Sequence, residues 1–197
     1  YYPYPNIHVP RTPNQKFVGS TKSGARGDVI IEMDWMTAEI VKLLDSLHLS
    51  KNTLIIFSSD NGPVLDDGYD DFAEKLVGNH KPAGIYRGGK YSAFEAGTRV
   101  PTIIYWPGVI KPGATNQLFS QIDFFASLAK LVNQKIPEGA APDSENMLAE
   151  LLGTSKKGRA FMLEESFTLS LRKENWKYIS PQEKQAPDWL KNKKIES

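Results

Sequence analysis

The sequence predicts an α/β fold with a small antiparallel annex near its C-terminal end. Three observations carry that prediction. A stretch with helical periodicity passes through a short polar link into an almost wholly apolar, β-branched run, Thr53-Leu54-Ile55-Ile56-Phe57-Ser58. A second such run, Val100-Pro101-Thr102-Ile103-Ile104-Tyr105, follows a long glycine- and aspartate-rich connection. Helix, link and apolar strand in succession are the alternation of α/β domains. Further on, three short strand candidates lie at hairpin spacing.

Residues 1–27 are rich in proline, glycine and polar residues and read as loop. Apolar residues then recur at Val29, Met33, Met36, Ile40, Leu44 and Leu47, steps of three and four that mark an amphipathic helix from about Asp28 to His48. Asp28, Glu32 and Asp34 fall in its first two turns, where carboxylates complement the helix dipole. Arg26-Gly27-Asp28 spells an adhesion tripeptide, but its place marks it as helix-entry chemistry. Ser50-Lys51-Asn52 is the polar link. The two apolar runs read as strands covered on both faces, as in a parallel sheet. The stretch from Asn61 to Arg99 is too long for an ordinary connection, and such loops in compact domains are usually functional or disordered. Its acidic part, Asp66-Asp67-Gly68-Tyr69-Asp70-Asp71, reads as a solvated loop. Pro107-Gly108 and Pro112-Gly113 mark turns, and Ile122, Phe125, Leu128, Ala129 and Val132 define another amphipathic helix.

After about Pro137 the pattern changes. A short helix from Ser144 to Leu152 ends at Gly153, a natural residue for the position just past a helix. The strand candidates are Ala160–Leu163, Phe167–Arg172 and Trp176–Ile179, the last two joined by Lys173-Glu174-Asn175. The tail from Pro181 is polar.

Composition bounds the function. The 197 residues are 40% hydrophobic and 11% aromatic, which suits one globular domain or one with an annex. The 24 Lys and Arg nearly cancel the 23 Asp and Glu, so no basic excess points to nucleic acid. Cysteine is absent, which excludes disulfides, zinc-thiolate sites and a cysteine nucleophile within these residues. No apolar run reaches the length of a membrane span. Tyr1-Tyr2-Pro3-Tyr4-Pro5 has neither the basic start nor the apolar core of a signal peptide, and no initiator Met precedes it. The expectation is a piece from inside a longer protein.

Four clusters carry candidate chemistry. Asp60-Asn61-Gly62 follows the strand ending at Ser58, and ligands in open α/β sheets bind beyond the carboxyl ends of strands. A carboxylate and an amide carbonyl are hard oxygen ligands for calcium or magnesium. The same triplet also serves as an ordinary strand-ending turn. Tyr86-Arg87-Gly88-Gly89-Lys90 allows close backbone approach to an anion, with Lys90 as a point charge, or it is a solvated loop. His8, between prolines in Asn6-Ile7-His8-Val9-Pro10, is a general acid or anion donor, or a packing histidine. His80 has the same two readings. In Phe94-Glu95-Ala96-Gly97-Thr98-Arg99, Glu95 and Arg99 read as structural partners.

The order of these motifs is more specific than any one of them. A His-x-Pro loop, a helix with an acidic start, a strand into Ser-Asp-Asn-Gly, Arg-Gly-Gly-Lys, Glu-x-Gly-x-Arg-Val-Pro and Trp106-Pro107-Gly108 follow in series. From roughly Ile7 to Val132 the series resembles the C-terminal half of the catalytic domain of type I, arylsulfatase A-like sulfatases. Leu171-Arg172 and Trp176-Lys177-Tyr178 are similar to the small antiparallel subdomain that closes them. The resemblance implies an alkaline phosphatase-like fold. It divides the chain into part of the catalytic domain, 1–137, and an incomplete annex, 138–197.

The resemblance also implies hydrolysis of sulfate esters on a sulfated small molecule or glycan. The family's nucleophile is a formylglycine made within Cys/Ser-x-Pro-x-Arg, and a calcium ion binds the sulfate oxygens. Carried over by motif, Asp60 and Asn61 become calcium ligands, Lys90 a sulfate contact, His8 a group on the sulfate or leaving-group side, and His80 a lining residue. The serines form no Ser-x-Pro-x-Arg. The nucleophile, two further aspartates and a Lys/His pair are therefore expected upstream. Ala96 stands where the family usually has glycine. These residues alone are expected to be inactive, to hold little calcium and either to self-associate or to carry a disordered N-terminal loop, and the parent to be periplasmic or secreted by family habit. Two rival readings remain open. One is a phosphatase or phosphonate hydrolase of the same superfamily, which would place Asp-His where Asp60-Asn61 stands. The other is a non-catalytic sulfatase-like module.

Overall fold

The computed structural model describes residues 1–181, so the polar tail and the end of the expected 138–197 annex lie outside the described residues. These fall into two compact units, one built from Tyr1–Thr53 and Ser59–Val100, the other from Leu54–Ser58 and the chain from Pro101 onward.

The first unit is organised on helix α1, Gly24–Ser46. It begins earlier than the periodicity implies, so its first turn carries no acid. Asp28 does a different job from complementing the dipole. Its buried carboxylate accepts hydrogen bonds from the Gly19 N–H (2.8 Å), the Thr21 N–H (2.9 Å) and the Thr21 hydroxyl (3.1 Å). It thereby folds the entering loop back onto the helix. Gly27 is needed there, because a Cβ would collide with the Thr21 hydroxyl. The N-terminal loop is tied along α1 by Tyr4 to Thr37 (3.0 Å) and by the Asn6 amide to the Val29 carbonyl (3.0 Å). These ties place His8.

Helix α1 ends in a Schellman motif: the His48 N–H bonds the Asp45 carbonyl, and the Leu49 N–H the Leu44 carbonyl. His48 takes the left-handed position, φ 56°, that glycine usually fills. A 3₁₀ turn, Ser50–Asn52, forms the polar link. The long connection contains two single-turn helices, α2 (Ala73–Leu76) and α3 (Glu95–Thr98).

In the second unit β1 (Ile55–Ser58) pairs with β2 (Thr102–Tyr105) in antiparallel register, Ile55 opposite Tyr105 and Ser58 opposite Thr102. This corrects the expectation of a parallel sheet buried on both faces. Strand β1 is half-buried, and Ile103 and Tyr105 of β2 are exposed. An apolar β-branched run records a strand's fitness for burial. Burial itself is supplied by neighbours, and among the described residues each of these strands is paired with one other.

Helix α4 (Asp123–Leu131) also ends in a Schellman motif, with Asn133 left-handed at φ 54°. Fully buried Asp123, the first residue of the helix, gathers the segments around its start. It accepts from the N–H groups of Ser120 (3.0 Å) and Glu145 (2.9 Å) and from the Arg159 guanidinium (2.6 Å). Helix α5, Leu148–Leu151, closes at Gly153 (φ 71°) as expected.

Strands β3 (Met162–Glu165), β4 (Leu169–Lys173) and β5 (Trp176–Ile179) form the antiparallel annex in that order. Lys173 belongs to β4 and pairs with Trp176, so the hairpin loop is Glu174-Asn175, one residue shorter than the sequence suggests. One face carries Leu163, Leu171 and Tyr178 in a cross-strand row, all exposed. The other face covers polar groups: Ser170 is buried, and Lys177 pairs with Glu164 at 2.7 Å.

Candidate active site

Backbone packing in the first unit explains the glycine-rich motifs. The Gly62 N–H donates to the Gly97 carbonyl (3.0 Å), the Lys90 N–H to Pro63 (2.9 Å) and the Ala96 N–H to Arg87 (3.0 Å). The segment after Asp60 is thus laced to the Arg-Gly-Gly-Lys segment and to α3. A Cβ on Gly89 would stand 2.6 Å from the Pro63 carbonyl oxygen, and one on Gly62 would strike the Ala96 carbonyl. Ala96 itself lies in α3 and outside the left-handed region, so its methyl carries no backbone strain. The Glu95–Arg99 pair is long, 3.6 Å, and Arg99 also lies over the Tyr86 ring at 4.6 Å.

Arg11 joins two loops. Its side chain is 1% exposed and meets its acceptors in all directions. Nε donates to the Ile7 carbonyl (3.0 Å), Nη2 to Val64 (3.1 Å), and Nη1 to Leu65 (3.0 Å) and the Asp71 carboxylate (2.8 and 3.1 Å). One guanidinium therefore fixes the loop bearing His8 against the loop bearing Asp66–Asp71.

Those loops bring together residues far apart in sequence. The Lys90 ammonium lies 2.8 Å from Asp67 Oδ2 and 3.4 Å from His8 Nε2. His8 Nε2 is also 3.4 Å from Asp67 Oδ2, and Asp67 Oδ1 accepts the Tyr91 hydroxyl at 2.7 Å. His8 Nδ1 lies 2.7 Å from the Val9 carbonyl, which can only accept. The network thus assigns a proton to Nδ1, and Nε2 faces both the Lys90 ammonium and the Asp67 carboxylate.

Burial works to lower the proton affinity of Lys90, but the hydrogen bond and charge of Asp67, with Tyr91 behind them, outweigh it and raise its pKa. Burial and the Asp67 bond likewise raise the Tyr91 pKa, against the pull of Lys90. Lys90 is held as an ammonium.

Asp60 is exposed, and no hydrogen bond or ion pair engages its carboxylate among the described residues. The Asn61 amide nitrogen donates to the Gly62 carbonyl at 2.8 Å, which leaves its oxygen as the open polar atom. Two uncommitted hard oxygens on adjacent residues fit part of a calcium shell, which takes six to eight oxygens in all. Among the described residues no group of three or more His, Cys, Asp or Glu is gathered for a metal. His80 is exposed, and no hydrogen bond or ion pair joins it to His8 or Lys90 among the described residues.

Sequence reasoning missed Asp67, Tyr91 and Arg11. The acidic stretch is not a uniformly solvated loop, since the Asp67 and Asp71 side chains are 5% and 7% exposed. An arginine inside a proline-bounded loop was the available signal for the second of these.

The profile of the family described as Sulfatase matches residues 5–134. The chain is 51% identical over 189 residues to the N-acetylgalactosamine-6-O-sulfatase of Bacteroides thetaiotaomicron, covering 94% of this chain and 37% of that protein. It is 36% identical over 155 residues to human steryl-sulfatase, covering 78% and 26%. A solved sulfatase from work on glycosaminoglycan metabolism by Bacteroides thetaiotaomicron superposes with a TM-score of 0.92 at 49% identity, covering 96% of this chain and 40% of that one. A sulfatase structure from Pseudoalteromonas sp. gives 0.73 at 31% identity, covering 87% and 34%. The chain thus spans well under half the length of the relatives it matches.

Proposed function

Since the chain belongs to the sulfatase family, and with it to the alkaline phosphatase-like fold of its solved relatives, we propose that it supplies one side of an active site that hydrolyses sulfate esters. The observation that carries the proposal is the meeting of His8 and Lys90 at 3.4 Å from segments 82 residues apart. In this reading Lys90 binds the sulfuryl oxygens as they gain negative charge, and His8 delivers a proton to the leaving oxygen once its ring is charged. Asp60 and Asn61 would hold calcium, which when bound withdraws charge from the sulfate oxygens. His80 would line the approach of substrate. Asn61 favours this over the phosphatase reading, because an amide oxygen suits calcium where imidazole suits zinc.

The attacking group is assigned to a formylglycine in a Cys/Ser-x-Pro-x-Arg motif outside these 197 residues, which contain neither cysteine nor that serine motif. Residues 1–137 are then part of the catalytic domain and 138–197 part of the closing subdomain. Family habit places the parent outside the cytoplasm. No helix among the described residues is long and apolar enough to cross a membrane. The substrate we propose is a sulfated sugar, with 6-O-sulfated N-acetylgalactosamine as first choice from the relative at 51% identity.

The test is a pair of assays on that sugar and on an aryl sulfate. The full-length protein should release sulfate with a dependence on calcium, and the 197-residue chain should release none. Zinc dependence, or turnover of phosphate esters alone, would hand the site to the rival reading. A full-length protein without Cys/Ser-x-Pro-x-Arg would leave a non-catalytic module.

A further inference from the structure

We infer that Asp67 is a positioning residue for Lys90, holding its ammonium in place and balancing its charge without itself meeting the substrate. This rests on the reading of Lys90 and His8 as sulfate-side groups.

Exposure separates the roles. The Asp67 side chain is 5% exposed, Lys90 15% and His8 63%, so a ligand arriving from solvent reaches the two bases and not the carboxylate behind them. Both Asp67 oxygens are engaged by consecutive residues: Oδ2 takes the Lys90 ammonium at 2.8 Å and Oδ1 the Tyr91 hydroxyl at 2.7 Å. Tyr91 sits in the left-handed region, φ 74°, a strained state for a bulky side chain. That state accompanies the convergence of the two side chains on one acceptor. The loop that presents Asp67 is clamped as well. Arg11 grips it through the Val64 and Leu65 carbonyls on one side of Asp67 and the Asp71 carboxylate on the other.

The chemistry gains from this in two ways. A lysine ammonium on its flexible stem must be ordered when it binds an anion, and here the ordering is already done. Pairing also lowers the net positive charge facing the ligand. A sulfate ester carries one negative charge and the released sulfate two. A weaker field releases the dianion more readily than a bare lysine would, because attraction scales with charge.

The test uses the conservative series Asp67→Asn, Asp67→Glu and Tyr91→Phe. The groups facing Lys90 that can change its titration are Asp67, Tyr91 and His8. In the 197-residue chain, the Lys90 side-chain nitrogen is followed by NMR as pH rises. Asp67→Asn should lower its proton affinity, Asp67→Glu should restore most of it, and Tyr91→Phe should produce a smaller drop. In the full-length protein, Asp67→Asn should reduce aryl-sulfate turnover while inorganic sulfate inhibits more strongly. Unchanged Lys90 titration in both Asp67→Asn and Tyr91→Phe overturns the inference, and so does turnover loss without stronger sulfate inhibition. A wild-type protein with no sulfatase turnover defeats the functional reading, yet the NMR series still decides whether Asp67 positions Lys90.

Discussion

Arg11 enters the interior of the first unit with an acceptor for each of its three nitrogens and one carboxylate to balance its charge. Removing it takes the ion pair from Asp71, which keeps the Ala73 N–H and the charge of nearby Arg26, and strands three backbone carbonyls in a dry environment. Breaking a buried pair from one side costs about 3–5 kcal/mol, so Arg11→Ala should lose stability of that order in chemical denaturation. Arg11→Lys keeps the charge but cannot reach acceptors spread around a planar fork. It should lose roughly 1–3 kcal/mol. Full stability in Arg11→Ala would show that the two loops are fixed by something else. The same variants bear on the site: His8 is reached through the Ile7 carbonyl, and Asp67 lies between two of the other contacts. Loosening should therefore appear in the His8 ring signals by NMR before the unit unfolds.

At the scale of elements, helix ends show what the sequence encodes locally. Helices α1, α4 and α5 all close with the paired bonds of a Schellman motif, using His48, Asn133 and Gly153. Glycine takes the left-handed position freely and asparagine at modest cost, while other residues give up roughly 1–2 kcal/mol there. Exposed His48 is the misfit. Replacing it with glycine recovers that strain and loses about 0.5–1 kcal/mol to chain entropy. His48→Gly should thus stabilise the chain by about 0.5–1 kcal/mol in a urea titration, and a destabilised variant would mean the imidazole makes a contact of its own. Gly153 was legible as a stop and His48 was not, because nothing in a histidine marks a left-handed residue.

The same division runs through the rest of the fold. Periodicity revealed α1, α4 and the annex strands, whose patterns depend on near neighbours. It misjudged the direction in which β1 is paired, because strand direction is set by residues almost fifty positions away. In the candidate site, the motifs marked His8, Lys90, Asp60 and Asn61. The supporting Asp67, Tyr91 and Arg11 were hidden, since a loop aspartate looks alike in sequence whether it faces water or an ammonium.

For the whole molecule, the distribution of apolar surface governs behaviour in solution. Among the described residues the buried apolar side chains are few: Phe17, Val29, Met147, Leu151 and several alanines. Large ones lie in the open. Helix α1 exposes Ile31, Trp35, Ile40 and Leu43, and the annex exposes Leu163, Leu169, Leu171, Tyr178 and Trp176, the last at 82%. Helices apolar on most sides are built to be covered. Contiguous apolar patches beyond a few hundred Å² are uncommon on monomers. The annex also has open strand edges at β3 and β5 among the described residues, each a template for pairing with another chain. We therefore expect the 197-residue chain to self-associate. Light scattering across a tenfold dilution should give a mass above 22.0 kDa that falls with concentration. Lysine at Leu163 or Trp176 should shift the mass toward the monomer without altering the fold seen by circular dichroism, because both side chains already face solvent. A constant 22.0 kDa at every concentration would defeat the expectation. Association that persists in both lysine variants would move the contact from the annex to α1, where Leu43→Lys is the next variant to measure.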